Sequence, residues 1–101
     1  MKIYSLYSKS LKRYNLPFFA EDDAESVSVV SKMVAAQNDP SLICALDDLC
    51  LMCIGEVNLT DEDPIIGHTS WLVMDDLHQN LPLPPMIKEC IDKYYRGNAN
   101  A

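Results

Sequence analysis

The chain has 101 residues, a formal net charge of −7, and 8 basic against 15 acidic side chains. This length fits one domain with a modest core, and the acidity argues against non-specific binding of duplex DNA by the whole surface. No apolar run approaches the ~18 residues of a membrane span, and the amino terminus lacks the apolar stretch of a signal peptide. We therefore expect a cytoplasmic protein without a membrane partner.

Charge is unevenly distributed along the chain. Residues 1–20 carry a net charge of +4, residues 21–87 carry −12, and residues 88–101 carry +1. If the protein has an anionic partner, the amino-terminal part should therefore bind it.

The amino-terminal segment predicts extended structure. Side chains alternate in Lys2–Ser8, whose aromatic and β-branched residues favour a first strand. Ser8–Asn15 is polar and basic and predicts a loop. Leu16–Phe19 is apolar, and Leu16 is extended because a proline follows it.

A valine-rich helix is predicted over Glu21–Gln37, where Asp22 or Asp23 can cap the amino terminus. The helix should end at Asn38-Asp39-Pro40, and Ser41–Asp48 fits a short helical turn as well as a loop. The predicted buried stripe comprises Ala24, Val27, Val30 and Val34.

The densest apolar run, Leu49–Leu59, predicts a buried central strand, because it is short and stops at the turn-rich Thr60–Pro64. A helix segment is the alternative, since periodicity alone does not exclude it. Ile65–Met74 should return as one or two strands, although Leu72–Met74 could instead begin a helix through Leu77.

The carboxy-terminal part predicts a proline-rich extended segment, Asn80–Pro85, and a last helix, Met86–Arg96, ended by Gly97. Together the elements predict an α+β fold with a small, mostly antiparallel sheet of three or four strands. One helix packs on the sheet and a carboxy-terminal helix is added. Residues 1–97 form the single domain, and residues 98–101 form a frayed tail. The apolar side of the last helix comprises Met86, Ile87, Cys90, Ile91 and Tyr94.

No catalytic or metal chemistry is expected. Cys50-x-x-Cys53 has a zinc-like spacing, but side chains three apart on a strand point to opposite faces. Without a secretion signal, the four cysteines should be reduced, buried thiols. His68 and His78 have no evident nucleophile partner, and the paired acids fit caps and turns. We therefore expect a protein that is not an enzyme and needs no cofactor.

Three pieces, in this order and spacing, carry a family resemblance: Lys2-Ile3-Tyr4-Ser5-Leu6-Tyr7, then Leu16-Pro17-Phe18-Phe19-Ala20-Glu21 before a valine-rich helix, then Leu51-Met52-Cys53-Ile54-Gly55-Glu56. Over about residues 1–60 the chain resembles the small non-structural protein of gokushovirus-type microviruses, phages with single-stranded DNA genomes. The resemblance implies a non-virion protein of the host cytoplasm that binds DNA during single-stranded genome synthesis or packaging.

If DNA is bound, the amino-terminal part should bind it, because half of the basic residues and five of the eight aromatic residues lie in residues 1–20. Aromatic rings stack on unpaired bases, which a duplex hides, so a single strand suits this composition better. The alternative is that the tyrosines are core residues and the lysines are solvated. The phosphate-neutralising candidates are Lys9, Lys12 and Arg13. The stacking candidates are Tyr14 and, if they face outward, Tyr4 and Tyr7.

A protein–protein adaptor is the second hypothesis. Leu81–Pro85 and the helix after it could dock onto a viral or host protein, and an edge strand could pair with a second copy to form a homodimer. Alternatively, this tail folds back over the sheet of its own chain. An exposed basic face beside the sheet would favour DNA. Burial of Tyr4, Tyr7, Phe18 and Phe19, with an exposed apolar tail helix, would favour the adaptor.

Overall fold

The structure, a computed structural model, describes residues 1–36, 40–57, 66–67 and 70–99. The predicted helix stop at Asn38-Asp39, the turn at Thr60–Pro64 and the end of the tail at Asn100–Ala101 lie outside the described residues, as does His68. The elements in chain order are β1 (Lys2–Ser8), β2 (Arg13–Ala20), α1 (Asp23–Ala35), α2 (Pro40–Cys44), β3 (Leu49–Val57), β4 (Ile66–Gly67), β5 (Trp71–Met74), α3 (Leu77–Asn80) and α4 (Pro85–Ala99).

The strands form one antiparallel sheet with the order β2-β1-β3-β4, and β5 also pairs with β3. The central strand is β3, as the apolar run predicted. Because β4 lies opposite its end at Val57 and β5 lies opposite Leu51–Cys53, the two short strands are successive pieces of one return along β3. The predicted α+β fold is confirmed, and Leu72–Met74 belongs to a strand and not to a helix.

The β1–β2 hairpin differs from the prediction, which left residues up to Asn15 in a loop. Four residues, Lys9–Lys12, close the hairpin, and β2 begins at Arg13. Lys12 adopts a left-handed conformation with φ of 54°, which lets a short turn reverse the chain. Pro17 lies where the register slips by one residue, a site on an edge strand where a missing N–H is tolerated.

The core lies on one face of the sheet. Tyr4, Leu6 and Leu51 project from the strands into a single apolar cluster with Val30 and Val34 of α1. The same cluster contains buried side chains of the later segments, namely Leu46, Leu77, Leu81 and Ile91. The helices therefore cover this face, which we call the core face.

Helix α1 has the predicted cap, but the set of buried residues differs in part from the predicted stripe. The Asp22 carboxylate accepts a hydrogen bond from the Glu25 N–H at 2.8 Å. Val30 and Val34 are buried as predicted, whereas Ala24 is exposed and Ser26 is buried in its place. Ser26 is tolerated there because its hydroxyl donates to the Asp23 carbonyl oxygen at 2.6 Å.

The carboxy-terminal part folds back over its own core. Leu81 is buried, and Leu83 and Ile87 pack against the core. The last helix does not end at Gly97, since α4 continues to Ala99; glycine is tolerated inside a helix at a cost of about 1 kcal/mol. Its predicted apolar side is only partly buried: Met86 is 79% exposed, and Cys90 is exposed as well.

Candidate nucleic-acid interface

The face of the sheet opposite the core carries apolar and aromatic side chains. Side chains alternate along a strand, so Tyr4 and Tyr7, three residues apart, project from opposite faces. The buried apolar side chains of α1, α3 and α4 all belong to the core face. We call the opposite side the open face; its described members include Ile3, Tyr7, Tyr14, Phe19, Met52 and Leu72, and none of them belongs to the core cluster.

Tyr7 and Tyr14 form an aromatic pair on the open face. They lie opposite each other in the β1–β2 register, and their ring centroids are 4.9 Å apart at an interplanar angle of 51°. Tyr14 is 48% exposed on the edge strand, whereas Tyr7 is half-buried. Phe19, at the other end of the hairpin, is 57% exposed. The predicted stacking candidates Tyr7 and Tyr14 are therefore brought together.

Tyr4 is a correction to the predicted site. Its side chain is fully buried on the core face, where its ring stacks against Phe18 with centroids 5.9 Å apart. Its hydroxyl donates a 2.7 Å hydrogen bond to the Asp23 carboxylate. Burial, followed by this neighbouring carboxylate, raises the pKa of the phenol well above its ordinary value. Tyr4 cannot stack on a base, because no part of its ring reaches the surface.

The three predicted cations all lie at the hairpin turn, but they differ in availability. Lys9 makes a 2.6 Å ion pair with Asp75, which raises the pKa of the lysine and lowers that of the carboxyl. Lys12 and Arg13 are exposed, and neither forms an ion pair with any residue that the structure describes. Lys12 and Arg13 are thus the cations open to a phosphate, while Asp75 competes for Lys9.

Asp48 holds the turn against the start of β3. Its carboxylate accepts hydrogen bonds from the hydroxyls of Ser8 and Ser10 at 2.6 and 2.8 Å, and from the Ser10 N–H at 2.9 Å. The bond from Ser8, followed by that from Ser10, lowers the pKa of the Asp48 carboxyl. The turn that carries Lys12 and leads into Arg13 is therefore fixed relative to the sheet. Sequence reasoning assigned Asp48 only to a turn, because its serine partners lie far away in the chain.

A cavity of about 630 Å³ lies beside this turn. Residues of the hairpin and of the segment from α2 to β3 line it, among them Leu6, Leu11, Tyr14, Asn15, Leu42 and Asp48. No sequence pattern predicted this cavity, because its lining comes from elements that only the tertiary fold brings together.

A second polar cluster joins α3 to α4. The imidazole Nε2 of His78 lies 3.0 Å from an Asp92 carboxylate oxygen, and its ring stacks on Tyr95 with centroids 4.0 Å apart. The Tyr95 hydroxyl donates to the Ile43 carbonyl oxygen at 2.7 Å. These contacts fix the last helix against the body. We therefore assign the cluster to packing.

The cysteines do not form a common site. Cys53 lies in the core and Cys50 lies on the other side of β3, near the Tyr7 carbonyl oxygen, and burial raises the pKa of both thiols. Cys44 and Cys90 are exposed, which corrects the expectation of four buried thiols. Within the described ranges, no three His, Cys, Asp or Glu side chains are grouped to hold a metal ion.

Comparisons of the chain with protein-family models, with curated proteins and with solved structures give no match. Among the residues that the structure describes, no helix is both long and apolar enough to cross a bilayer.

Proposed function

We propose that this chain is a non-structural phage protein that binds single-stranded DNA in the host cytoplasm during genome synthesis or packaging. The observation that carries the proposal is the Tyr7–Tyr14 pair on the open face, and Tyr14 follows Arg13 and Lys12 directly in the sequence. Aromatic rings offer a sequence-tolerant stacking surface for bases, and the cations neutralise phosphates. The resemblance of residues 1–60 to the microvirus family supports the viral role. The role is non-enzymatic.

An open sheet face with exposed aromatics suits a single strand. Some RNA-binding sheets stack two or three unpaired bases on such rings. From Tyr7 to Ile3, which lies opposite Phe19, the open face spans roughly 13 Å, at about 3.3 Å per residue. The acidic first turn of α1, with Asp23 and Glu25, belongs to the helix that covers the core face. Repulsion from these acids favours a strand on the open face.

Salt dependence tests the contribution of the cations. With Lys12 and Arg13 as the two phosphate contacts, a plot of log K against log salt should have a slope of about −1.4 for a single strand. Fluorescence anisotropy of a labelled mixed-sequence strand, with a duplex as comparison, measures this slope. The Lys12→Ala/Arg13→Ala variant should lose most of the slope. Asp75→Asn releases Lys9 and should steepen the slope to about −2.

The charge-matched control is Lys32→Ala/Lys93→Ala, which removes two exposed lysines from α1 and α4. This control should bind the strand as the wild type does. Equal weakening by the control would show that only the overall charge matters. Absence of binding at low salt would overturn the proposal.

A protein–protein adaptor is the alternative. It is favoured by an exposed stripe at every fourth residue of α4, namely Met86, Cys90 and Tyr94, since contiguous exposed apolar patches mark contacts. However, Leu81 and Ile91 are already buried in the core of the same chain. Only the side of α4 that faces away from the core is therefore available to a partner. Under the adaptor hypothesis, Met86→Lys should abolish capture of a specific partner and leave the stability of the fold unchanged.

A further inference from the structure

The cavity beside the hairpin turn has the volume and the mixed apolar and polar lining of a small-molecule site. Its volume of about 630 Å³ lies within the range of small-molecule sites. Leu6, Leu11 and Leu42 supply apolar walls, and Tyr14 borders it. Tyr14 also pairs with Tyr7 on the open face, so this one residue of the edge strand borders both the cavity and the open face.

Two polar side chains in the lining can recognise the edge of a base. The Asn15 amide is half-buried and makes no side-chain hydrogen bond to any residue that the structure describes, so its donor and acceptor are both available. Asp48 already accepts three hydrogen bonds, and an ionised carboxylate offers about four lone-pair positions. Asp48 therefore has room for one further donor.

Two exposed cations adjoin the cavity lining in the chain. Lys12 and Arg13 lie in the chain between Leu11 and Tyr14, both of which line the cavity. Both cations are exposed, and we expect them to be the nearest positive charges in the chain for the phosphate of a nucleotide whose base occupies the cavity. An uncharged apolar ligand would make no favourable electrostatic contact with these two cations.

We propose that the cavity takes one unstacked nucleobase bearing an exocyclic amino group, with the Asn15 amide as its recognition group. The inference rests on the proposed function when the base is supplied by a bound strand, and a free nucleotide has the same chemistry. Asparagine pairs with adenine through two hydrogen bonds, and carboxylates accept from the amino group of cytosine. Thymine has no amino group and should be disfavoured.

The affinities of dA, dC and dT 12-mers for the wild type and Asn15→Ala test this inference. Stacking tolerates any sequence, so a preference for dA or dC over dT of at least about fivefold should come from the cavity. Asn15→Ala should abolish the preference for dA over dT, because the asparagine amide makes both hydrogen bonds to adenine. Equal wild-type affinities, or a preference that survives in Asn15→Ala, would overturn the base site while leaving strand binding intact.

NMR titration with dAMP and dTMP separates the two sources of the base. The site predicts that dAMP shifts the Asn15 side-chain amide and the methyl signals of Leu11 and Leu42, and that dTMP does so far less. These shifts without binding of any 12-mer would support a free-nucleotide site and overturn strand binding. Absence of both strand binding and dAMP shifts would overturn both proposals.

Discussion

Tyr4 shows how one hydroxyl positions the main helix. Its hydrogen bond to one Asp23 oxygen is matched by the Trp71 indole N–H, which lies 3.2 Å from the other oxygen of the same carboxylate. Asp23 is the first residue of α1, so β1 and β5 hold the start of the helix from two directions. A tyrosine is needed at this position because phenylalanine would leave the carboxylate short of one partner.

We predict that Tyr4→Phe lowers the free energy of unfolding by about 1.5–3 kcal/mol, the usual contribution of a hydrogen bond to a charged group. Tyr14→Phe is the matched control and should change stability by less than ~0.5 kcal/mol, because its ring is exposed. Urea denaturation of the three proteins measures the difference. Equal stabilities for the two variants would contradict the role assigned to the Tyr4 hydroxyl.

At the scale of single residues, the sequence distinguished basic from acidic regions of the chain. It did not show which of Tyr4 and Tyr7 is buried and which lies on the open face. Alternation shows that these side chains lie on opposite faces, and it does not show which face the helices cover. The Lys9–Asp75 ion pair could not be predicted from the sequence either, because the two residues are far apart in the chain. The structure distinguishes Lys12 and Arg13 from Lys9, because Lys9 alone of the three forms an ion pair with a residue that the structure describes.

At the scale of elements, two of the three serines of α1, Ser26 and Ser31, differ in their hydrogen bonding. The buried Ser26 hydroxyl is satisfied by the Asp23 carbonyl oxygen. The Ser31 hydroxyl oxygen is buried and has no hydrogen-bond partner among the residues that the structure describes. An unsatisfied buried hydroxyl is destabilising, so α1 is less stable than its packing would allow.

Ser31→Ala should therefore raise the free energy of unfolding by about 1 kcal/mol, combining removal of the hydroxyl with better helix propensity. Ser28→Ala, at an exposed position of the same helix, should gain only the propensity term of about 0.5 kcal/mol. Thermal and urea unfolding give both values. A Ser31→Ala protein no more stable than Ser28→Ala would show that the hydroxyl is satisfied.

The elements with strong local patterns were predictable. Alternation in β1, the capped valine helix α1 and the apolar run of β3 each agree with the structure in type, with ends shifted by a few residues. The start of β2 was not predicted. Lys12 adopts the left-handed conformation in this turn, at a position where glycine is the usual sequence signal. Likewise, Gly97 was a plausible helix end, but α4 continues through it.

At the scale of the whole molecule, the described helices pack on one side of the sheet. This arrangement leaves aromatic side chains on the open face and sends the acidic start of α1 to the other side. It explains how a chain with a net charge of −7 can expose Tyr14 next in sequence to Lys12 and Arg13, which form no ion pair with the part of the chain that the structure describes. The sequence alone could not predict which face of the sheet is exposed, because this depends on which face the helices pack against.

The most direct test of the proposed function is the affinity of a mixed-sequence single strand for the wild type and Tyr14→Ala at low salt. Loss of one stacking ring should weaken binding by at least about fivefold, while Tyr94→Ala, an exposed tyrosine on α4, should bind as the wild type does. Circular dichroism should show that both variants are folded. Wild-type affinity in Tyr14→Ala, or no strand binding by the wild type, would contradict the assignment of the open face to single-stranded DNA.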